Sequence, residues 1–231
     1  MTVLASLRAA ALAVAALACA RAESKPVPGA AAAAVATTAT TASADTVARN
    51  ADRGRILGDS TAKVWIVMIS DFQCPYCRQW HDSSFAAIRR DYVETGKVRM
   101  AFLNMPLSMH ANARPAAEAA MCASAQGKFW PMHEALFRAQ ESWAPQANAA
   151  AAIDSVAAHA GVDVPRMRAC VNSGAVRPLI EQDMKRAADA GAKATPSFVI
   201  GDQFVEGAVP LADLKRVIDG VLAGGAPPAG R

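Results

Sequence analysis

The chain has 231 residues and a formal charge of +4 at neutral pH, enough length for one domain with a full core plus appendages. Its charges are dispersed, and basic pairs such as Arg89-Arg90 and Lys185-Arg186 sit on amphipathic helical patterns, so no nucleic-acid partner is expected. It carries no G-x-x-x-x-G-K or G-x-G-x-x-G loop, so no nucleotide cofactor is expected either.

Residues 1–22 read as a secretory signal. A short positive region ending at Arg8 precedes an apolar run from Ala9 to Ala18, too short for a bilayer span of about 20 residues but suited to an h-region. Two readings of its end compete. Ala18-Cys19-Ala20 or Ala20-Arg21-Ala22 serves as an ordinary cleavage site, or Ala16-Leu17-Ala18-Cys19 resembles a bacterial lipoprotein box with Cys19 as the lipidated residue. That match is partial, since Ala16 stands where the lipoprotein pattern prefers Leu. Either way the expected location is the periplasm or cell envelope, with a lipid anchor left open. Residues 23–52 read as an Ala/Thr-rich linker without bulky core-forming residues.

The folded part is expected over 53–222, with 223–231 as a flexible tail. Val64 to Ile69 is a continuous apolar run rich in β-branched residues, predicting a strand buried on both faces. After Ser70-Asp71-Phe72-Gln73 and Cys74-Pro75-Tyr76-Cys77, a helical pattern runs to about Glu94. Gly96 ends it, and Lys97 to Leu103 reads as a second strand. Residues 108–190 predict a helical insert, with helices over Pro115–Gln126, Phe129–Gln140, Ala147–Ala160, Pro165–Val171 and Pro178–Ala190. Ser197–Ile200 and Gln203–Glu206 flank Gly201-Asp202 and predict a hairpin, closed by an amphipathic helix through Leu211, Leu214, Val217, Ile218 and Val221. This order is that of a layered α/β domain.

Cys74-Pro75-Tyr76-Cys77 falls at the strand-to-helix junction. Pro75 suits a first helical turn, and Cys74 then faces the free amides of a helix N-terminus, which stabilise a thiolate. A stabilised thiolate is a good leaving group, so Cys74 and Cys77 read as a redox pair, Cys77 being the less exposed resolving thiol. The bland alternatives are half a zinc site or two inert thiols. No second ligand pair lies at zinc spacing, and no metal ligand is expected. With Cys19 removed or lipidated, Cys74, Cys77, Cys122 and Cys170 remain, an even set suited to an oxidising compartment.

Ser70 to Cys77, Gln126-Gly127-Lys128-Phe129-Trp130 and Thr195-Pro196-Ser197-Phe198-Val199 together resemble the DsbA-like branch of the thioredoxin superfamily, from about Arg53 to Leu222. The resemblance implies a thioredoxin-like fold with an inserted helical subdomain. It also implies a cis Pro196 facing the redox pair, with Thr195 as a substrate contact. Cys122 and Cys170 would form a structural disulfide, two separate buried thiols being the alternative. The implied activity is thiol–disulfide exchange with unfolded or thiol-containing exported proteins, most readily as an oxidant reoxidised by a membrane redox partner, and without flavin, haem or metal. Two alternatives stay open: a reductase or isomerase of the same fold, and a thiol-based metal-binding module. One departure stands out. Where the family often has an acid six residues before the first Cys, this chain has Met68, and Asp71 need not point inward. His81 lies one turn beyond Cys77 but reads first as a packing residue. Trp130, His133, Leu136 and Phe137 read as insert core, and His110 and His159 as surface or helix-end residues.

Overall fold

The computed structural model describes residues 43–224. The expected signal with Cys19, the linker up to residue 42 and the tail from 225 lie outside the described residues. Five strands form one mixed sheet in the order β1-β3-β2-β4-β5. They are β1 (Ile56–Leu57), β2 (Val64–Ser70), β3 (Val98–Asn104), β4 (Ser197–Ile200) and β5 (Gln203–Glu206). β2 and β3 run parallel from Val64↔Val98 to Ser70↔Asn104, and β4 lies antiparallel to β2, pairing Ile69 with Ser197. The β4–β5 hairpin has the expected bounds, with Gly201 at φ +59°, the left-handed conformation its turn requires.

Strand alternation assigns the two sheet faces. Ile66 and Met68 share one face with Met100, Phe102, Phe198 and Ile200. That face is buried against Cys77, Trp80 and Ile88 of the helical run after the motif, and against Leu214 and Ile218 of α10 (Leu211–Leu222). Ile69 and Leu103 face the other way, onto Ala187 and Ala192. The expectation that β2 is buried on both faces therefore holds only near its C-terminal end. Trp65 and Val67 are half-buried, and the Arg99 guanidinium lies over the Trp65 ring at 4.2 Å.

Folded structure begins earlier than expected: residues 44–52, read as linker, belong to α1 (Ala44–Gly54). Its helix is polar overall but strongly amphipathic; Ser43 caps it by accepting from the Thr46 N–H, and its Ala51 is buried. Ser124 donates to the Ala51 carbonyl at 2.6 Å, and a Cβ at Gly54 would lie 2.5 Å from the Ser124 oxygen. Tertiary contact with α4 (Ala113–Ser124) thus adds to what the segment's own cap and amphipathic pattern supply. Behind α1, the buried Arg55 pairs with the buried Asp183, whose Oδ2 also accepts from the Asn104 backbone and side-chain amides at 3.1 and 2.8 Å.

The motif opens α2 (Pro75–Trp80). The run continues through a wide π-helical turn (His81–Phe85), α3 (Ala86–Ile88) and a second such turn (Arg89–Val93), where sequence had indicated one uniform helix. The insert comprises α4, α5 (Phe129–Arg138), α6 (Gln140–Trp143), α7 (Ala150–His159), α8 (Val164–Ser173) and α9 (Arg177–Asp189). Cys122 of α4 and Cys170 of α8 are joined by a disulfide. Among the described residues, no helix is long and apolar enough to cross a membrane.

Candidate active site

Cys74 is the N-cap residue of α2, with extended backbone (φ −68°, ψ 124°), and Pro75 occupies the first helical position, where a missing N–H costs nothing. The first helical hydrogen bond runs from the Arg78 N–H to the Cys74 carbonyl at 3.2 Å. Cys74 and Cys77 are unbonded thiols here and both buried, at 3 % and 1 % exposure, whereas Tyr76 between them is 63 % exposed. The Thr195-Pro196 peptide is cis, and the Cys74 sulfur lies 3.4 Å from the Thr195 carbonyl oxygen.

The two thiols are driven in opposite directions. A hydrogen bond from the Cys77 thiol, then Thr195 and the Cys77 and Tyr76 backbone N–H groups, outweigh burial and pull Cys74 down to about 6. In the dithiol, Cys74 donates to the Thr195 carbonyl while the Thr195 hydroxyl is buried without a partner; ionisation of Cys74 supplies that hydroxyl with an acceptor. Burial, the thiol of Cys74 and its charge push Cys77 well up, against weaker help from the Asp71 backbone and Ser70. One proton is therefore shared unequally, with the thiolate at Cys74.

The position of the missing acid is filled by Met68, 1 % exposed. Asp71 does point inward, but its carboxylate is fully engaged. It accepts from the Gln73 N–H at 2.7 Å and the Leu107 N–H at 2.9 Å, and Nδ1 of His110 lies 2.7 Å away. His110, expected on the surface, is thus a half-buried anchor for the loop after β3. His81 stacks on Phe85 and Phe137, as a packing residue does, with Nδ1 3.0 Å from Asp82. His133 is fully buried among Phe72, Phe102, Phe129, Trp130 and Phe137, and His159 is exposed on its own helix. Sequence reasoning read Ser70 and Gln73 as part of the motif's flank without giving either a role, and overlooked two amides around the motif, Asn112 and Gln140. Amide side chains carry no motif or charge pattern that would have marked them.

The family model for thioredoxin matches residues 50–220. The chain is 30% identical over 173 residues to Na(+)/H(+) antiporter NhaA 3 of Salinispora tropica, a match covering 74% of this chain but 25% of that protein. It thus spans about a quarter of the antiporter-named relatives. It is 25% identical over 168 residues to the probable disulfide bond formation protein D of Bacillus anthracis, covering 71% of this chain and 76% of that one. Among solved structures, oxidised BdbD from Bacillus subtilis superposes with a TM-score of 0.67 at 22% identity, over 74% of this chain and 95% of that one. Wolbachia pipientis alpha-DsbA1 gives 0.66 at 23% identity, over 74% and 91%. A sheet in this order, a cysteine pair at the start of α2 and an inserted helical subdomain agree in fold with these matches: the chain belongs to the thioredoxin family.

Proposed function

We propose that the protein introduces disulfides into exported, thiol-containing proteins through Cys74 and Cys77. The observation that carries this reading is the unequal placement of the pair: Cys74 caps α2 with its sulfur 3.4 Å from the Thr195 carbonyl while Cys77 is buried inside the helix, which draws Cys74 down to about 6 and pushes Cys77 up. Stabilising the Cys74 thiolate stabilises the reduced enzyme, which makes its disulfide a stronger oxidant.

In the oxidising direction Cys74 and Cys77 begin as a disulfide. A substrate thiolate attacks the sulfur of Cys74, forming a mixed disulfide and expelling Cys77 as a thiolate. Cys77 then takes up a proton, because burial favours its neutral form. A second substrate thiol loses its proton, attacks the substrate sulfur of the mixed bond and expels Cys74 as a thiolate. The substrate has lost two electrons and the enzyme has gained them, and a membrane redox partner removes them for the next cycle. Pro75 and Tyr76 shape the rim of the pair, and Thr195 and Pro196 form its substrate-facing wall.

The test is the reduction potential of the pair in glutathione buffers. A value near about −120 mV supports an oxidant, and one near about −270 mV makes the protein a reductase on the same residues. Cys74→Ser is expected to abolish exchange; retained activity removes Cys74 as the nucleophile. Export by residues 1–22 is tested by the mass of the mature N-terminus. A lipid adduct on Cys19 marks an anchored protein, and cleavage after Ala20 or Ala22 marks an unanchored one.

A further inference from the structure

The motif is held from the insert side by amide side chains as well as by apolar packing, in which Phe72 lies against Phe137 and His133. Gln140 in the short helix α6 is 5 % exposed, and its Nε2 donates to the carbonyls of Phe72 at 2.7 Å and Cys74 at 3.0 Å. Both hydrogens of that amide are spent on the backbone flanking Gln73. Gln73 itself accepts from the Asn112 N–H at 2.7 Å and donates to the Ala144 carbonyl at 2.9 Å. Asn112 donates to the Gln146 carbonyl at 2.7 Å and accepts from the Ala149 N–H at 3.3 Å.

We propose that Gln140 is a positioning residue for the redox pair: by holding the Cys74 carbonyl it fixes the direction in which the sulfur of Cys74 is carried. The physical reason lies in the N-cap conformation. Cys74 is not helical, so its ψ is free of the helix except through one hydrogen bond from Arg78. Rotation about ψ swings the carbonyl and shifts the sulfur relative to the Tyr76 and Cys77 N–H groups. A second donor on the same oxygen, anchored in another subdomain, opposes that rotation. Gln73 and Asn112 brace the same contact by fixing where the segment after α6 sits. Packing alone would be served as well by Leu or Met at position 140, without the cost of burying an amide. The insert then does more than cover the thioredoxin core: through Gln140 it reaches the backbone of the nucleophile.

This inference rests on Cys74 being the reactive thiolate. It is tested on the reduced, full-length protein by ultraviolet thiolate absorbance against pH and by the alkylation rate of Cys74 at pH 6. Gln140→Met keeps the volume and removes both donors. The expected result is an upward shift of the Cys74 transition by about 0.5 to 1 pH unit, with a three- to tenfold slower alkylation. Ile153→Val, elsewhere in the insert, is expected to lower stability and leave the transition in place. A Gln140→Met protein that is less stable yet titrates like the parent shows a merely structural residue and overturns the proposal. Where Gln140→Met does not fold, Gln140→Glu is read instead. Its carboxylate opposes the two carbonyls at neutral pH and regains one donor on protonation, so the transition is raised; an unchanged transition overturns the proposal. A parent protein with no thiol titrating below the ordinary range would sink the proposed function itself, a result separate from either variant's outcome.

Discussion

Cys74 and Thr195 are 121 residues apart in sequence, yet the Cys74 sulfur lies 3.4 Å from the Thr195 carbonyl and is stabilised as a thiolate in part by that residue. The antiparallel pairing of β4 with β2 brings this about, by setting Ser197 beside Ile69 and so placing the residues before β4 at the end of β2 where the motif begins. Thr195→Val removes the hydroxyl and keeps the shape. The Cys74 transition is expected to rise from about 6 by roughly one unit, the size of one hydrogen bond to a charged group. Thiolate absorbance checks it, and an unmoved transition would remove Thr195 from the account.

The same thiolate makes stability depend on redox state and pH. The folded value of Cys74 is depressed, to about 6 against about 8.5 for an unfolded thiol. Its stabilisation is therefore present above about pH 8.5 and is lost as pH falls towards 6. Cys77 is raised, so its contribution is present below about 8.5 and lost at higher pH. The disulfide form has neither titration. Reduced minus oxidised stability is thus expected to grow by about 2.5 kcal/mol from pH 6 to pH 8.5. Denaturant unfolding of both forms measures this, and a flat difference would mean that Cys74 is an ordinary thiol.

How much of this was legible follows from where the information sits. The motif at a strand-to-helix junction and the hairpin over Ser197–Ile200 and Gln203–Glu206 are local patterns, and the structure has them in those places. α1 was not read as folded because its overall polarity hid an amphipathic face, and because its docking onto α4, where Ser124 meets Ala51 and Gly54, joins residues far apart in the chain. β1 is only two residues long, too short to show alternation. Gln140 lies 66 residues from the carbonyl it holds, and a Gln near a helix end looks like any surface Gln. The inward turn of Asp71 was undecidable for the same reason: its partners, Leu107 and His110, arrive from the loop after β3.

His133 is expected to make the fold acid-sensitive. Burial, and secondarily the charge of His81, depress its protonation well below the ordinary imidazole range. Both of its nitrogens are buried without partners, and its neighbours are Phe72, Phe85, Phe102, Phe129, Trp130, Phe137 and His81. A base with a depressed folded value is neutral in both states above about pH 6.5, and stability falls below it as the unfolded chain alone takes up the proton. His133→Phe is expected to flatten the loss between pH 6.5 and 4.5 by up to about 1.4 kcal/mol per pH unit. Unfolding of the oxidised form, where Cys74 does not titrate, isolates the effect. Parallel curves for parent and variant would exclude it.

Arg55 and Asp183 are a buried ion pair tying the end of α1 to β3 and α9. Asp183→Asn leaves the buried guanidinium with the half-exposed Asp52 as its remaining counter-charge and is expected to cost up to about 3 kcal/mol. Replacing both together, Arg55→Met with Asp183→Leu, is expected to recover much of that, because neither charge then needs solvation. A double variant as unstable as the single one would show that the Asn104 amides, not the charge, are what Asp183 serves.

The Cys122–Cys170 bridge is expected to act on one helix more than on the whole fold. α8 contributes one buried residue, Met167, to the core, so the covalent link to α4 is a large share of what holds it. The bridge closes a separation of 48 residues, for which chain entropy gives an upper figure of about 4 kcal/mol. Replacing both cysteines by Ala is expected to lower global stability by less than that, because α8 then detaches from the native state at smaller cost than full unfolding. Amide hydrogen exchange separates the two effects: protection should collapse in α8 and persist in β2 and β3. The Cys74 thiolate transition should stay in place, since its hydrogen bonds come from Cys77, Thr195 and the start of α2. Equal loss of protection in α8 and the sheet would instead mean that the insert and the thioredoxin core unfold as one unit.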